Sequence, residues 1–175
     1  MEFYRVLDML PVRWRPHFIT LALTGLSSEK LCEIQPHQLD HGRRAISVQD
    51  SDPSPGQSLI YVAEEFWPYV LASVPAPVTH SYLRDHWNAA VDRAGLRKLS
   101  VNALRPFRAK LLAEAEAEVE CRVLGVLLSD SAEEPSKETV QDRRKQEEAR
   151  LLAQLHPVLA LTEDEGRRLL LRKVD

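Results

Sequence analysis

Arg105 follows Asn102 by three residues in SVNALRPFRAKLLAEA, residues 100–115, directly before Pro106 and at the head of a stretch with helical apolar spacing. A guanidinium at a helix start is suited to bidentate holding of a phosphate or a carboxylate. Further cations surround it. Between Thr79 and Arg122 the chain carries Arg84, Arg93, Arg97, Lys98, Arg105, Arg108, Lys110 and Arg122 against six acids, four of them within 114–120. Arg84, Arg97, Lys98, Arg105, Arg108 and Lys110 are therefore candidate contacts to a DNA backbone. For Arg105 the competing role is an ion pair with an acid such as Asp130, and for Arg108 and Lys110 it is a solvated helix face. Other chemistries are poorly provided for. His17, His80 and His86 lack metal-ligand spacing and are expected in surface or capping roles, so no metal or other cofactor is expected. Cys32 and Cys121 have no CxxC partner and are expected to be buried thiols of a reducing compartment. Trp14, Trp67 and Trp87 suit core anchors better than base-stacking platforms. All four tyrosines lie at or before Tyr82.

The elements that must position these residues follow from periodicity and punctuation. Phe3, Val6, Leu7 and Leu10 mark a first helix that ends before Pro11, and an apolar helix runs from Trp14 or His17 to Thr24-Gly25. A second serine-led helix spans about 27–34, with Ser27 as its N-cap, and Pro36 stops it. Leu39-Asp40, 45–48 and 58–62 are extended segments, the last two forming a hairpin around DSDPSPGQ, which is read as a solvated turn. A short helix at 64–71, a VPAPVT linker, and helices at 79–94, 103–115 and 117–128 complete the central part. The fold class is mainly α with a small antiparallel sheet.

A length of 175 residues suits one domain with a full core and a short appendage, and 44% hydrophobic with 28% charged residues is ordinary for a soluble globular chain. No apolar run is long enough to span a bilayer and no signal peptide is evident, so no membrane partner and a cytoplasmic location are expected. The net charge of −3 excludes a strongly basic nucleic-acid binder, although the middle of the chain is locally basic.

LALTGLSSEKLCEIQPHQLD, residues 21–40, resembles the first conserved box of the tyrosine recombinase (phage integrase) catalytic domain. Thr24, Gly25, Leu26, Leu31, Ile34, Leu39 and Asp40 fall in register, and a hairpin follows in the expected place. Asn102-Ala103-Leu104-Arg105 stands where the family has His-x-x-Arg, and Leu127-Leu128-Ser129-Asp130-Ser131 where it has Leu-Leu-Gly-His-Ser, with Leu124-Gly125-Val126 as a second register. The resemblance covers about residues 3–142.

That family joins DNA through a phosphotyrosine, with arginines and histidines neutralising the phosphate and a hairpin lysine as general acid. Carried over position by position, the set is degenerate. Ser27 replaces the first arginine, Lys30 an acid, Asn102 and Asp130 the histidines, and Thr139 or Val140 the tyrosine, while no lysine lies between Lys30 and Lys98. Arg105 alone remains in place. The resemblance thus implies a recombinase-like fold over 1–140 without catalysis, followed by a helical extension over 141–175. The extension either covers its own core or serves as an arm for oligomerisation or for a related recombinase. The expected function is that of a DNA-binding accessory or regulatory factor of a mobile element or phage, nucleoid-associated if it binds DNA. The alternatives are a protein-interaction module that has lost DNA binding and, third, an active recombinase with displaced groups.

Overall fold

The computed structural model describes residues 2–49, 57–97, 99–104 and 137–155. Its elements are α1 (Glu2–Met9), a 3₁₀ turn (Val12–Trp14), α2 (Arg15–Thr24), α3 (Ser28–Glu33), β1 (Leu39–Asp40), β2 (Ala45–Gln49), β3 (Gln57–Tyr61), α4 (Trp67–Ser73), α5 (His80–Arg93) and α6 (Lys137–Leu155). The described part is mainly helical with one small antiparallel sheet, the expected class. The hairpin tip at 50–56 and the helices expected at 103–115 and 117–128 lie almost wholly outside the described residues.

α1 forms on the predicted spacing, and Phe3, Val6, Leu7 and Leu10 all point into the core. It packs on α5, where Trp87, with no exposure, meets Phe3 at 5.8 Å and Phe18 at 5.0 Å between ring centroids. α2 is buried at every one of its ten positions, which explains its unpatterned apolar sequence: a helix enclosed on all sides has no polar face to mark. It lies against α4, and the two are tied by hydroxyls, with Ser73 Oγ 3.1 Å from Thr20 Oγ1 and 2.9 Å from the Val70 carbonyl. The helix expected at 64–71 is a 3₁₀ turn (Glu64–Phe66) followed by α4, with Pro68 in α4's first turn where a missing N–H is harmless.

The strands pair in the order β1-β2-β3, with Ala45 opposite Tyr61, Ile46 opposite Ile60 and Ser47 opposite Leu59. Alternation sends Leu39, Ile46, Val48 and half-buried Ile60 to the helical core. Ala45, Leu59 and Tyr61 go to the opposite face, where Ala149 of α6 covers them. A single layer of strands thus has the main core on one side and a charged helix on the other. Arg43 joins the two through Asp142 at 3.7 Å.

Two arginines hold helix ends in place. Arg15, 1% exposed, donates from Nε to the Leu10 carbonyl (3.0 Å) and from Nη2 to the Asp8 carbonyl (3.1 Å), so its charge rests on the C-terminal end of α1. Arg5 does the same for α5, donating to the Ala94 carbonyl at 3.1 Å.

Candidate nucleic-acid interface

The connection from α2 to α3 is built by its own sequence, Thr24-Gly25-Leu26-Ser27. Gly25 takes φ 67°, the left-handed position that ends a helix, and its N–H donates to the Leu21 carbonyl at 2.9 Å. Thr24 Oγ1 donates to the Thr20 carbonyl and accepts from the Leu26 N–H. Ser27, in extended conformation, accepts the Lys30 N–H on its Oγ at 3.2 Å. The N-cap expected at Ser27 is therefore formed, and its hydroxyl satisfies one of the donors left open at the start of α3. A neutral side chain engaged in this way offers no guanidinium to a phosphate.

α3 leads to α5. His80, at the start of α5, lies 3.7 Å from Glu29 of α3. Arg84 follows one turn later on the same side and is exposed. Beyond the C-terminal end of α5, Gly95 at φ 66° turns the chain, and the Trp87 indole N–H donates to the Leu99 carbonyl, which pins the loop to the helix. Arg97 projects from this loop into solvent. Ser100 Oγ accepts the Asn102 N–H at 3.2 Å and starts a 3₁₀ turn (Val101–Ala103). Asn102 is exposed on this turn, and Leu104 continues it in helical conformation toward Arg105.

Arg84 lies about 13 Å of helix axis before the end of α5, and Arg97 stands in the loop that turns at Gly95 and returns to Trp87. Lys98, Arg105, Arg108, Lys110 and Asp130 lie outside the described residues, so the Arg105–Asp130 alternative does too. Thr139 sits in the first turn of α6, which continues through residue 141 without interruption. Among the described residues no group of His, Cys, Asp and Glu could hold a metal ion, and no helix is long and apolar enough to cross a membrane. No family model, no curated protein and no solved structure matches this chain.

An active recombinase with displaced groups would need another tyrosine, such as Tyr61 or Tyr82, and neither is prepared for attack. Tyr61 is buried between the sheet and α6, with its hydroxyl facing Asp142 and Arg43. Burial pushes that phenol up to about 12, the Asp142 carboxylate adds to the rise, and Arg43 opposes it in part. Tyr82 is 41% exposed and packs its ring edge-on against Trp14 and His86.

Two expectations are corrected here. His17 is not a surface or capping residue. It is 2% exposed, neither ring nitrogen makes a hydrogen bond, and its ring lies tilted at 59° to that of Trp14 with centroids 5.3 Å apart. Burial pulls it down to about 4, with the Trp14 backbone opposing weakly. Its position in the enclosed helix α2 leaves it no route to water. Cys32 is half-buried rather than buried, because the six-residue α3 turns that side toward the edge of the core, and desolvation followed by Glu33 raises its thiol. Cys121 lies outside the described residues. Trp14, Trp67 and Trp87 are core anchors as expected. Sequence reasoning missed the cluster in which exposed Arg13 and Tyr82 and half-buried His86 pack on the buried Trp14. Arg13 stands 4.9 Å over the Trp14 ring, and Tyr82 and His86 are 4.4 Å apart. The signal was available in the four-residue spacing of Tyr82 and His86 on one helix.

Proposed function

We propose that this chain is a tyrosine recombinase-like domain without strand-cleavage chemistry, which binds duplex DNA as an accessory factor of a recombining element. The observation that carries the reading is Ser27. At the place where the resembling family sets a phosphate-clamping arginine, this chain has a hydroxyl committed to capping α3. The order of elements supports it: a TGLS turn, a small antiparallel sheet, a helix, and a pinned loop leading to Asn102-x-x-Arg105. Burial of Tyr61 supports the absence of a nucleophile.

Without a second arginine, a histidine or a tyrosine, Arg105 neutralises charge but forms no covalent intermediate. The work left to the surface is electrostatic, from exposed Arg84 and Arg97 on the α5 side and from Lys98, Arg105, Arg108 and Lys110 in sequence. Duplex affinity measured at low and moderate salt tests it. Binding falls as salt rises, and removing any one contacting cation reduces the log–log slope by about 1. Absence of binding at low salt overturns DNA recognition. A covalent protein–DNA adduct on a nicked suicide substrate overturns the inactive assignment.

A further inference from the structure

The outward ridge of α5 is complementary to itself. Asp85, Ala89 and Arg93 succeed one another at four-residue steps, so they form one i±4 row on the helix surface, and all three are exposed. The order is acid, small residue, base. Asp85 and Arg93 are about 12 Å apart along the axis and cannot pair within one helix. Neither has an ion-pair partner among the described residues, and Arg93 donates from Nε to the Ala89 carbonyl of its own helix at 3.1 Å.

We propose that α5 pairs antiparallel with α5 of a second copy of this chain, about a two-fold axis at Ala89. The reversal places residue 85 of one copy opposite residue 93 of the other, twice, because 85 and 93 are equally spaced from 89. The same symmetry sets Asp92 opposite His86 of the other copy, whose ring is kept neutral by burial and then by Arg13 and Arg93, so that it offers a hydrogen bond rather than a charge. Ala89 faces its own equivalent, and its small side chain allows two helices to approach closely. Tyr82, 41% exposed, and Arg13 on its Trp14 ring border the ridge and supply residue types that anchor interfaces. A second copy suits this face better than a nucleic acid does, because the ridge holds as many acids as bases and carries no net attraction for phosphate. The pairing is independent of DNA binding and of the C-terminal extension.

Sedimentation equilibrium of the full chain over a wide concentration range tests it. The wild type is a dimer whose association weakens with salt. Arg93→Asp weakens dimerisation by about tenfold or more, Asp85→Arg does the same, and the double exchange restores it, since each charge again meets its opposite. Arg93→Gln, which introduces no repulsion, gives a smaller loss and stands in if a reversal disturbs the helix. A wild-type monomer at every concentration overturns the proposal. So does a dimer indifferent to Arg93→Asp, one lost only when 141–175 are removed, or well-folded single variants that the double exchange fails to rescue.

Discussion

α2 and α6 are both helices, and they are held by opposite means. Each of α2's ten positions is buried, and its polar groups are drawn into the interior with it: Arg15 onto the end of α1, Thr20 beside Ser73, His17 under Trp14. α6 is nineteen residues long, and its contacts with the described residues include Ala149 on Ala45, Leu59 and Tyr61 and the Arg43–Asp142 pair. Buried Glu147 is answered within α6 by Arg150 at 2.7 Å. Where enclosure is complete, one wrong charge reaches the whole fold. Where contact is a narrow strip, a helix can be released while the rest stays folded.

The largest effect expected from this contrast is at Arg15. Arg15→Met keeps much of the volume but leaves the Leu10 and Asp8 carbonyls without their donors. The loss is about 2–3 kcal/mol, mostly from the buried Leu10 carbonyl, because the Asp8 carbonyl is only part-buried and can take water in place of its charged donor. Urea unfolding reads it directly. A change below about 1 kcal/mol shows that the α1–α2 junction does not depend on this cation.

His17 gives the next effect, and it depends on pH. Its folded value, about 4, lies below the 6.5 of a free histidine, so the unfolded chain binds the proton more readily. The neutral ring's contribution is complete above about 6.5 and is lost as pH falls toward 4. Between pH 7 and pH 5 the loss is about 2 kcal/mol. His17→Phe, which keeps an aromatic ring beside Trp14, flattens that part of the stability–pH curve. A wild-type curve that is level over the interval refutes the assignment.

The same two helices mark what could be read from the chain. Spacing of Phe3, Val6, Leu7 and Leu10 specifies α1, and Gly25 and Ser27 specify the turn into α3, because a left-handed residue and an N-cap are local demands met by local chemistry. The strands were legible from Ala45-Ile46-Ser47-Val48 and from Leu59-Ile60-Tyr61 for the same reason. Arg15 and His17 were not, because their burial depends on the end of a neighbouring helix and on enclosure by α4, neither of which has a signature in residues 15–17. Of the candidate site, the cap at Ser27 was legible, while Arg84, Arg97 and Asn102 are exposed. The pinning of the Arg97 loop onto Trp87 did not follow from sequence, because it depends on an indole N–H reaching a carbonyl twelve residues away.

The smallest effect belongs to the strip under α6. The Arg43 side chain is 55% exposed and also reaches Asp40 at 3.8 Å, so its pair with Asp142 is worth under about 1 kcal/mol, the usual value for a solvated pair. Asp142→Ala therefore shifts the unfolding midpoint little. It also removes the carboxylate that helps to hold the Tyr61 phenol neutral, so that phenol titrates lower in the variant, as difference absorbance at alkaline pH reports. If α6 is a releasable strip, hydrogen exchange in 137–155 rises in Asp142→Ala while exchange in α2 is unchanged. If both rise together, α6 unfolds with the core, and the contrast between the two helices is one of surface area alone.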